Sequence, residues 1–363
     1  MRVFQNSALY PAYLRRLESL RSRNWTFEQQ LAAFLRDGFG APHILLPVIA
    51  GHAEAFFTNA DDQILQRQWA QEHGIPAAAS MESILLAQVE EHRAEIFYNL
   101  DPMRYQSDFV RRLPACVRKS LAWRAAPSPR ADFSAYDLLM CNFKGILESY
   151  KKRGWRTAYF SPAHHPALDP YGYNADRPTD IIFVGGYSRH HRRRRELLEA
   201  VAGLQDRYRV AFYLDRSRFT RLAESFPGRF LPLATHRRPN KIRRISRPGV
   251  FGMELYTALS RAKIVLNGAI DMAGEDRGNL RCFEAMGCGA LMVSDRGSYP
   301  EGMVDGVTML TYGKPLEAVG VIEAALAAPE RSLEIARSAH ELMTVAYSKA
   351  NQWRQFKRLV DGL

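Results

Sequence analysis

Short apolar runs alternate with longer stretches whose apolar residues recur every three or four positions, and the alternation starts at the first residues of the chain. Runs at residues 2–5, 43–49, 95–99, 121–125, 138–142 and 157–160 have strand length, while the patterns at 26–37, 61–72, 81–93 and 145–152 have helical spacing. Strands separated by helices do not pair as hairpins, so the first half predicts a parallel α/β sheet with crossover helices.

Residues 161–178 break this rhythm. Pro162, Pro166, Pro170 and Pro178 lie among His164, His165, Asp169 and Gly172, a density of turn formers that reads as a linker. Directly after it, Asp180-Ile181-Ile182-Phe183-Val184 runs into Gly185-Gly186 and then into a helical pattern through residues 196–201. Further strands are expected at 210–214, 263–267, 290–294 and 308–310, with helices at 256–261, 281–286 and 316–327. The expected fold class is therefore α/β with two tandem Rossmann-like domains, residues 1–170 and 171–344. The tail, residues 332–363, keeps helical spacing through Leu333, Ala336, Ala339 and Met343 to Trp353, Phe356 and Val360, as two helices or one broken one.

At 363 residues the chain exceeds the usual size of one core, in keeping with two domains. With 47% hydrophobic and 24% charged residues it is globular rather than disordered. Its most apolar stretch, residues 43–51, contains Pro47 and falls far short of the roughly 20 residues that span a bilayer. The first residues, Met1-Arg2-Val3-Phe4-Gln5-Asn6, lack the layout of a secretory signal, which makes the cytoplasm the expected compartment. Cys116, Cys141, Cys282 and Cys288 are scattered and show no C-x2-C spacing, so reduced thiols are expected rather than disulfides or a zinc site. Formal net charge is +12, and residues 189–247 supply all of it, with 17 Lys and Arg against 5 Asp and Glu. That one segment faces something anionic, or water.

The densest candidate chemistry lies between Glu275 and Asp295. There a polar loop, Glu275-Asp276-Arg277-Gly278-Asn279, leads into a short helix carrying Leu280, Arg281 and Glu284, and a Gly287-Cys288-Gly289 turn precedes a buried strand. A helix start offers unpaired N–H groups and partial positive charge, which suit a phosphate. A carboxylate one or two turns on suits the hydroxyls of a ribose. The same spacing is also that of an ordinary helix-to-strand connection with a glycine cap and a solvated Glu.

This arrangement resembles the C-terminal nucleotide-sugar domain of GT-B glycosyltransferases, in particular the group 1 glycosyl transferases that include CgeB-like proteins. In that superfamily an E-x7-E motif precedes a glycine-containing turn. Asp276 and Glu284 stand at the matching spacing here, with Asp in place of the first Glu, or with that position shifted by one residue to Glu275. The resemblance implies a cleft between the two domains and a helix at 345–363 crossing back to the first. It implies a nucleoside-diphosphate sugar as donor substrate, with Glu284 on the ribose, Asp276 near the sugar, and no tightly bound cofactor. Gly185, Gly186 and Tyr187 then stand where the pyrophosphate approaches the backbone, and Asn267, Asn279, Leu280 and Arg281 complete the donor site. Retention of anomeric configuration is implied if the pattern holds in full, and inversion if Asp101 or His52 acts as base.

Arg189-His190-His191-Arg192-Arg193-Arg194-Arg195 follows the glycine pair, and some of its guanidiniums, Arg192 among them, are candidates to pair with a diphosphate. Four consecutive helical residues point in four directions, so most of the run is expected to be a solvated face. The second basic cluster, residues 236–247, reads as an exposed loop.

In the first domain His52, after the 43–49 run, and Asp101, in Asn99-Leu100-Asp101-Pro102, are the candidate catalytic bases, because parallel sheets gather ligands at strand carboxyl ends. A surface histidine and a turn former are the plainer readings. No D-x-D, Walker A or His-x-x-x-His motif occurs, so no metal is expected, and Asp61-Asp62 reads as a helix cap. The expected partners are the nucleotide-sugar donor and a glycan, lipid-linked, protein or small-molecule acceptor, with peripheral contact to an anionic membrane as an option. Rival readings are a nucleic-acid-binding protein using the basic segment 189–247, which lacks any recognisable base-reading motif, and a non-catalytic GT-B-like binding protein.

Overall fold

In the computed structural model, which describes residues 1–187, 191–230, 232–268 and 274–363, the chain divides into two units. The first comprises Met1–Ala163 and Lys349–Leu363, the second His164–Ser348.

The first unit carries β1 (Val3–Ser7), β2 (Ala55–Asn59), β3 (Ile96–Asn99), β4 (Lys119–Trp123), β5 (Leu138–Cys141) and β6 (Thr157–Tyr159). They form one sheet in the order β2-β1-β3-β4-β5-β6, and every pairing is parallel. All four residues of β3 and of β5 are buried, as expected where helices cover both faces of a sheet. The covering helices are α1 (Pro11–Leu20), α2 (Phe27–Asp37), α3 (Leu46–Ile49), α4 (Gln63–Glu72), α5 (Met81–Glu91), α6 (Ser107–Val110) and α7 (Lys144–Lys151). Local chemistry sets their starts: Thr26 and Gln29 close a capping box on α2, while Asp62 and Ser80 cap α4 and α5.

The expected strand at 43–49 is not one. Residues Ala41–His43 form a 3-10 turn and Leu46–Ile49 a short helix with Pro47 in its first turn, where a missing N–H costs nothing. Gln5 of β1 meets the backbone here, its side-chain amide donating to the His43 carbonyl at 2.9 Å and its oxygen accepting from the Leu45 N–H at 3.0 Å. The strand of this region is β2, on the shorter run Ala-Phe-Phe-Thr-Asn.

The second unit begins with α8 (Asp169–Gly172), inside the stretch expected as linker, and continues with β7 (Thr179–Gly186), β8 (Val210–Asp215), β9 (Ser246–Pro248), β10 (Ala262–Leu266), β11 (Leu291–Asp295) and β12 (Leu310–Tyr312). The order β12-β11-β10-β7-β8-β9, again all parallel, is 3-2-1-4-5-6 when counted within the unit from β9, the order of dinucleotide-binding folds. Its helices are α9 (Arg192–Ala202), α10 (Arg218–Glu224), α11 (Asn240–Ile245), α12 (Gly252–Ser260), α13 (Leu280–Gly287), α14 (Glu317–Ala327) and α15 (Pro329–Val345). Ile181, Phe183, Val201, Phe212, Leu266 and Val293 lie in its core. After α13 the chain turns at Gly289, where φ is +63° and a Cβ would come within 2.2 Å of the Gly172 carbonyl oxygen, so no side chain fits.

The tail is two helices. α15 stays in the second unit, and α16 (Lys349–Asp361) belongs to the first, where Phe356 is fully buried against Tyr98 and Phe160.

Candidate functional site

In the second sheet the strand order reverses between β7 and β10, and ligands of open α/β sheets bind at the carboxyl ends beside such a reversal. β7 ends in Gly185-Gly186, where a Cβ on Gly186 would meet nothing within 4 Å. β10 is followed by Asn267 and Gly268. Asn267 is only 4% exposed, and its amide exchanges two 3.1 Å hydrogen bonds with that of Asn279 while also donating to Ser294 Oγ at 3.0 Å. The Tyr312 hydroxyl donates to the Asn267 carbonyl at 2.9 Å. The ends of β10, β11 and β12 and the start of α13 are thereby fixed to one another.

Asn279 sits at the N-cap of α13, yet its side chain makes no cap because Asn267 holds it. Among the described residues the first amides of α13 are thus left without a side-chain acceptor, the arrangement that favours an anion. Arg277 staples the preceding loop: its guanidinium pairs with Asp295 at 2.7 Å and donates to the carbonyls of Gly274 and Asp276. Asp276 itself is half-buried and bridges to Ser298. Leu280 and Arg281 form the first turn of α13, and Arg281 Nη1 donates to Glu284 Oε2 at 2.7 Å. Glu284 is 5% exposed; burial pushes its pKa up, with the Arg281 charge opposing.

Of the arginine run, Arg189 and His190 lie outside the described residues. Arg192 departs from its expected role: it opens α9 fully in solvent and pairs along its own helix with Glu196 at 2.8 Å. Arg194 is the one that turns to the strand ends, donating to the Gly268 carbonyl at 2.5 Å with its guanidinium 5.9 Å from the Phe183 ring. Tyr187 points along α9, its hydroxyl donating to Glu199 at 2.6 Å.

The first sheet reverses between β1 and β3. There Asn6 Nδ2 donates to Asn99 Oδ1 at 2.9 Å, and Asn99 Oδ1 also accepts the Asp101 N–H at 2.9 Å. Asp101 pairs with Arg104 at 3.2 Å, and burial raises its pKa against that charge. A second carboxylate that sequence reasoning assigned to a cap lies beside it. Asp62 is the cap of α4, whereas Asp61 accepts the Leu9 N–H with both oxygens at 3.2 and 3.0 Å and stands 3.9 Å from Arg104. Burial pushes the Asp61 carboxyl up to about 6. His52 is placed otherwise than expected: with 43–49 not a strand, it is exposed in the turn leading into the amino end of β2, opposite the carboxyl ends where a base would stand.

His164 is buried, 2.6 Å from Asp169, and packs against Gly287 within the second unit. The 236–247 cluster contains α11 and β9 instead of a loop, and Arg238 is buried. None of the four cysteines forms a disulfide, and burial raises Cys282 and Cys288 above the ordinary thiol range. Among the described residues no three His, Cys, Asp or Glu side chains converge, and no helix is long and apolar enough to cross a membrane.

Residues 192–358 match a family model described as glycosyl transferase-like. No curated protein matches the chain. Among solved structures, HepE of Anabaena in complex with UDP-glucose is similar over 99% of this chain and 99% of its own, with a TM-score of 0.59 at 13% identity. A glycosyltransferase from Rickettsia africae is similar over 98% of this chain and 97% of its own (TM-score 0.58, 11% identity). A UDP-forming α,α-trehalose-phosphate synthase from Burkholderia xenovorans is similar over the same shares (TM-score 0.51, 11% identity). At these identities the likeness is one of fold. The chain thus shares the two-domain fold of the GT-B type with these structures, and its residues 192–358 are similar to the glycosyl transferase-like family.

Proposed function

We propose that this chain moves a sugar from a UDP-sugar to an acceptor hydroxyl. The observation that carries the reading is the reversal between β7 and β10, where open glycine backbone, Arg194 and the uncapped start of α13 meet. Gly185 and Gly186 admit a diphosphate, and Arg194 with the amides of Leu280 and Arg281 offsets the charge that grows on it as the anomeric C–O bond breaks. Glu284 accepts the ribose hydroxyls, Asp276 lies toward the sugar, and Asn267 and Asn279 hold the α13 start in place. The UDP moiety is argued from the neighbour that binds UDP-glucose. Arginine and helix amides serve in place of a metal ion.

The first unit presents the acceptor at its own reversal, where Asp61 and Asp101 share Arg104. The acceptor is a hydroxyl of a glycan, lipid-linked saccharide, protein or small molecule. The absence of a disulfide among the four cysteines supports a reducing compartment, the cytoplasm. Neither the family match nor the structural neighbours favour the nucleic-acid reading.

Isothermal titration with UDP tests the donor site. Glu284→Gln, which keeps the shape beside Arg281, is expected to weaken UDP about 10- to 100-fold, the size of hydrogen bonds to a charged acceptor. Arg194→Ala is expected to weaken UDP more than uridine. Unchanged affinity in both variants, with unaltered melting, places the nucleotide elsewhere.

A further inference from the structure

Residues 215–247 hold ten basic residues against two acidic ones, Asp215 and Glu224. An open pocket of about 450 Å³ lies among Arg216, Arg238, Arg243, Arg244, Arg247 and Glu224. Its one acid is already satisfied: Arg238 grips the Glu224 carboxylate with two 2.7 Å bonds, both side chains being nearly sealed from solvent. Of the remaining arginines, Arg243 stands near enough for its charge to act on Glu224, while Arg216, Arg244 and Arg247 are exposed to water.

The same segment exposes large apolar side chains. Phe219 (59% exposed), Leu222 (44%), Phe226 (74%) and Phe230 (79%) follow one another on α10 and the turn after it, and every exposed phenylalanine among the described residues is among them. They belong to the same patch as the pocket, because Glu224 closes α10 and lines it. Arg237 further ties the region together by donating to the carbonyls of Ala223 and Gly228. Arg218 and Arg221 are interleaved with the apolar residues on α10 itself.

Cations alone would suit any polyanion, and apolar side chains alone any protein. Together they match a surface whose outer layer is anionic and whose interior, a few ångströms deeper, is hydrocarbon. A single-stranded nucleic acid also takes arginine and aromatic rings, but it binds by stacking successive bases on open ring faces. Here Phe226 and Phe230 stand edge to face at 78°, one face of Phe219 is already taken by His236, stacked on it at 28°, and Leu222 offers no ring.

We infer that residues 215–247 of the second unit dock on an anionic phospholipid bilayer, with the arginine pocket taking lipid phosphate groups and Phe219, Leu222, Phe226 and Phe230 entering the interface. This does not depend on the donor reading. It places the acceptor, if glycosyl transfer holds, at a membrane surface.

The test is sedimentation of the full chain with vesicles of phosphatidylcholine alone or of phosphatidylcholine with phosphatidylglycerol, alongside a fluorescent single-stranded oligonucleotide. Binding is expected to the anionic vesicles only, and to fall with salt. Arg243→Ala with Arg244→Ala should weaken it about 25-fold, since each surface cation contributes about fivefold. Phe226→Ser with Phe230→Ser should weaken it about tenfold or more. Phe226 and Phe230 are three-quarters exposed and meet edge to face, and Arg243 and Arg244 are partly exposed and exposed, so melting temperature and UDP affinity, read on the same samples, should stay at the parent values. The inference is overturned if anionic vesicles are not bound, if the phenylalanine pair has no effect, or if the oligonucleotide binds and the vesicles do not.

Discussion

A carboxylate that is one-tenth exposed must be held by donors or give up its charge, and Asp61 is divided between the two. The Leu9 N–H and the distant Arg104 favour the anion; burial and the neighbouring Asp101 favour the acid, and together they leave the group near 6 against an ordinary 3.8. Because the folded pKa is the higher one, the folded state holds the proton more tightly. Its stabilising effect is complete below about pH 4 and is lost as pH rises through 6. Asp61→Asn keeps an oxygen for Leu9 but has no charge to desolvate. Relative to the parent, its urea-unfolding stability should therefore improve between pH 4 and pH 8, by up to roughly 3 kcal/mol. A difference between the two proteins that does not move with pH would mean that Asp61 is an ordinary carboxylate. Nothing in the sequence separated Asp61 from Asp62, since either fits before α4; only the chain's path through Leu9 does. Arg194 was hidden for a similar reason. In four successive arginines the rotation of about 100° per residue sends each a different way, and the one that meets Gly268 is decided by where α9 lies on β7.

Elements were legible where pattern and packing agree. The strands at the centres of both sheets are apolar on both faces, and the runs at 95–99, 138–142, 180–186 and 263–267 lie on or within a residue of them. The 43–49 run misled because apolar length reports burial, not backbone shape, and the prolines at 42 and 47 spoke for a turn. The donor-site elements stood in the sequence as a glycine pair after a strand and a polar loop before a helix. Their joining through Asn267 and Asn279 did not. α16 shows what a single helix contributes: Phe356 is fully buried, and Lys349 Nζ and Gln352 Nε2 both donate to the Pro42 carbonyl, at 2.8 and 3.1 Å. Phe356→Ala removes an aromatic ring from among Tyr98, Phe160 and Trp353 and should cost about 3–5 kcal/mol. Thermal melting followed by hydrogen exchange should place the loss in β3 and β6; a melting curve matching the parent would show that α16 rests on the first unit without stabilising it.

At the scale of the whole chain the two units differ in how they are strung. The second is one continuous stretch, His164–Ser348, with its own core of Ile181, Phe183, Phe212, Leu266 and Val293. The first is closed only when α16 returns from beyond it. A continuous stretch with a complete sheet and core has what independent folding requires, whereas residues 1–163 alone leave the Tyr98 and Phe160 surface without Phe356. Every group assigned here to the nucleotide, from Gly185 to Glu284, lies in the continuous stretch. Residues 164–348 produced alone should therefore melt cooperatively and bind UDP within about tenfold of the full chain, with Glu284→Gln weakening both alike. Residues 1–163 alone should be the less stable fragment. UDP binding more than about 100-fold weaker in a cooperatively folded 164–348 fragment would mean that the first unit supplies nucleotide contacts, and the donor site would have to be redrawn to include it.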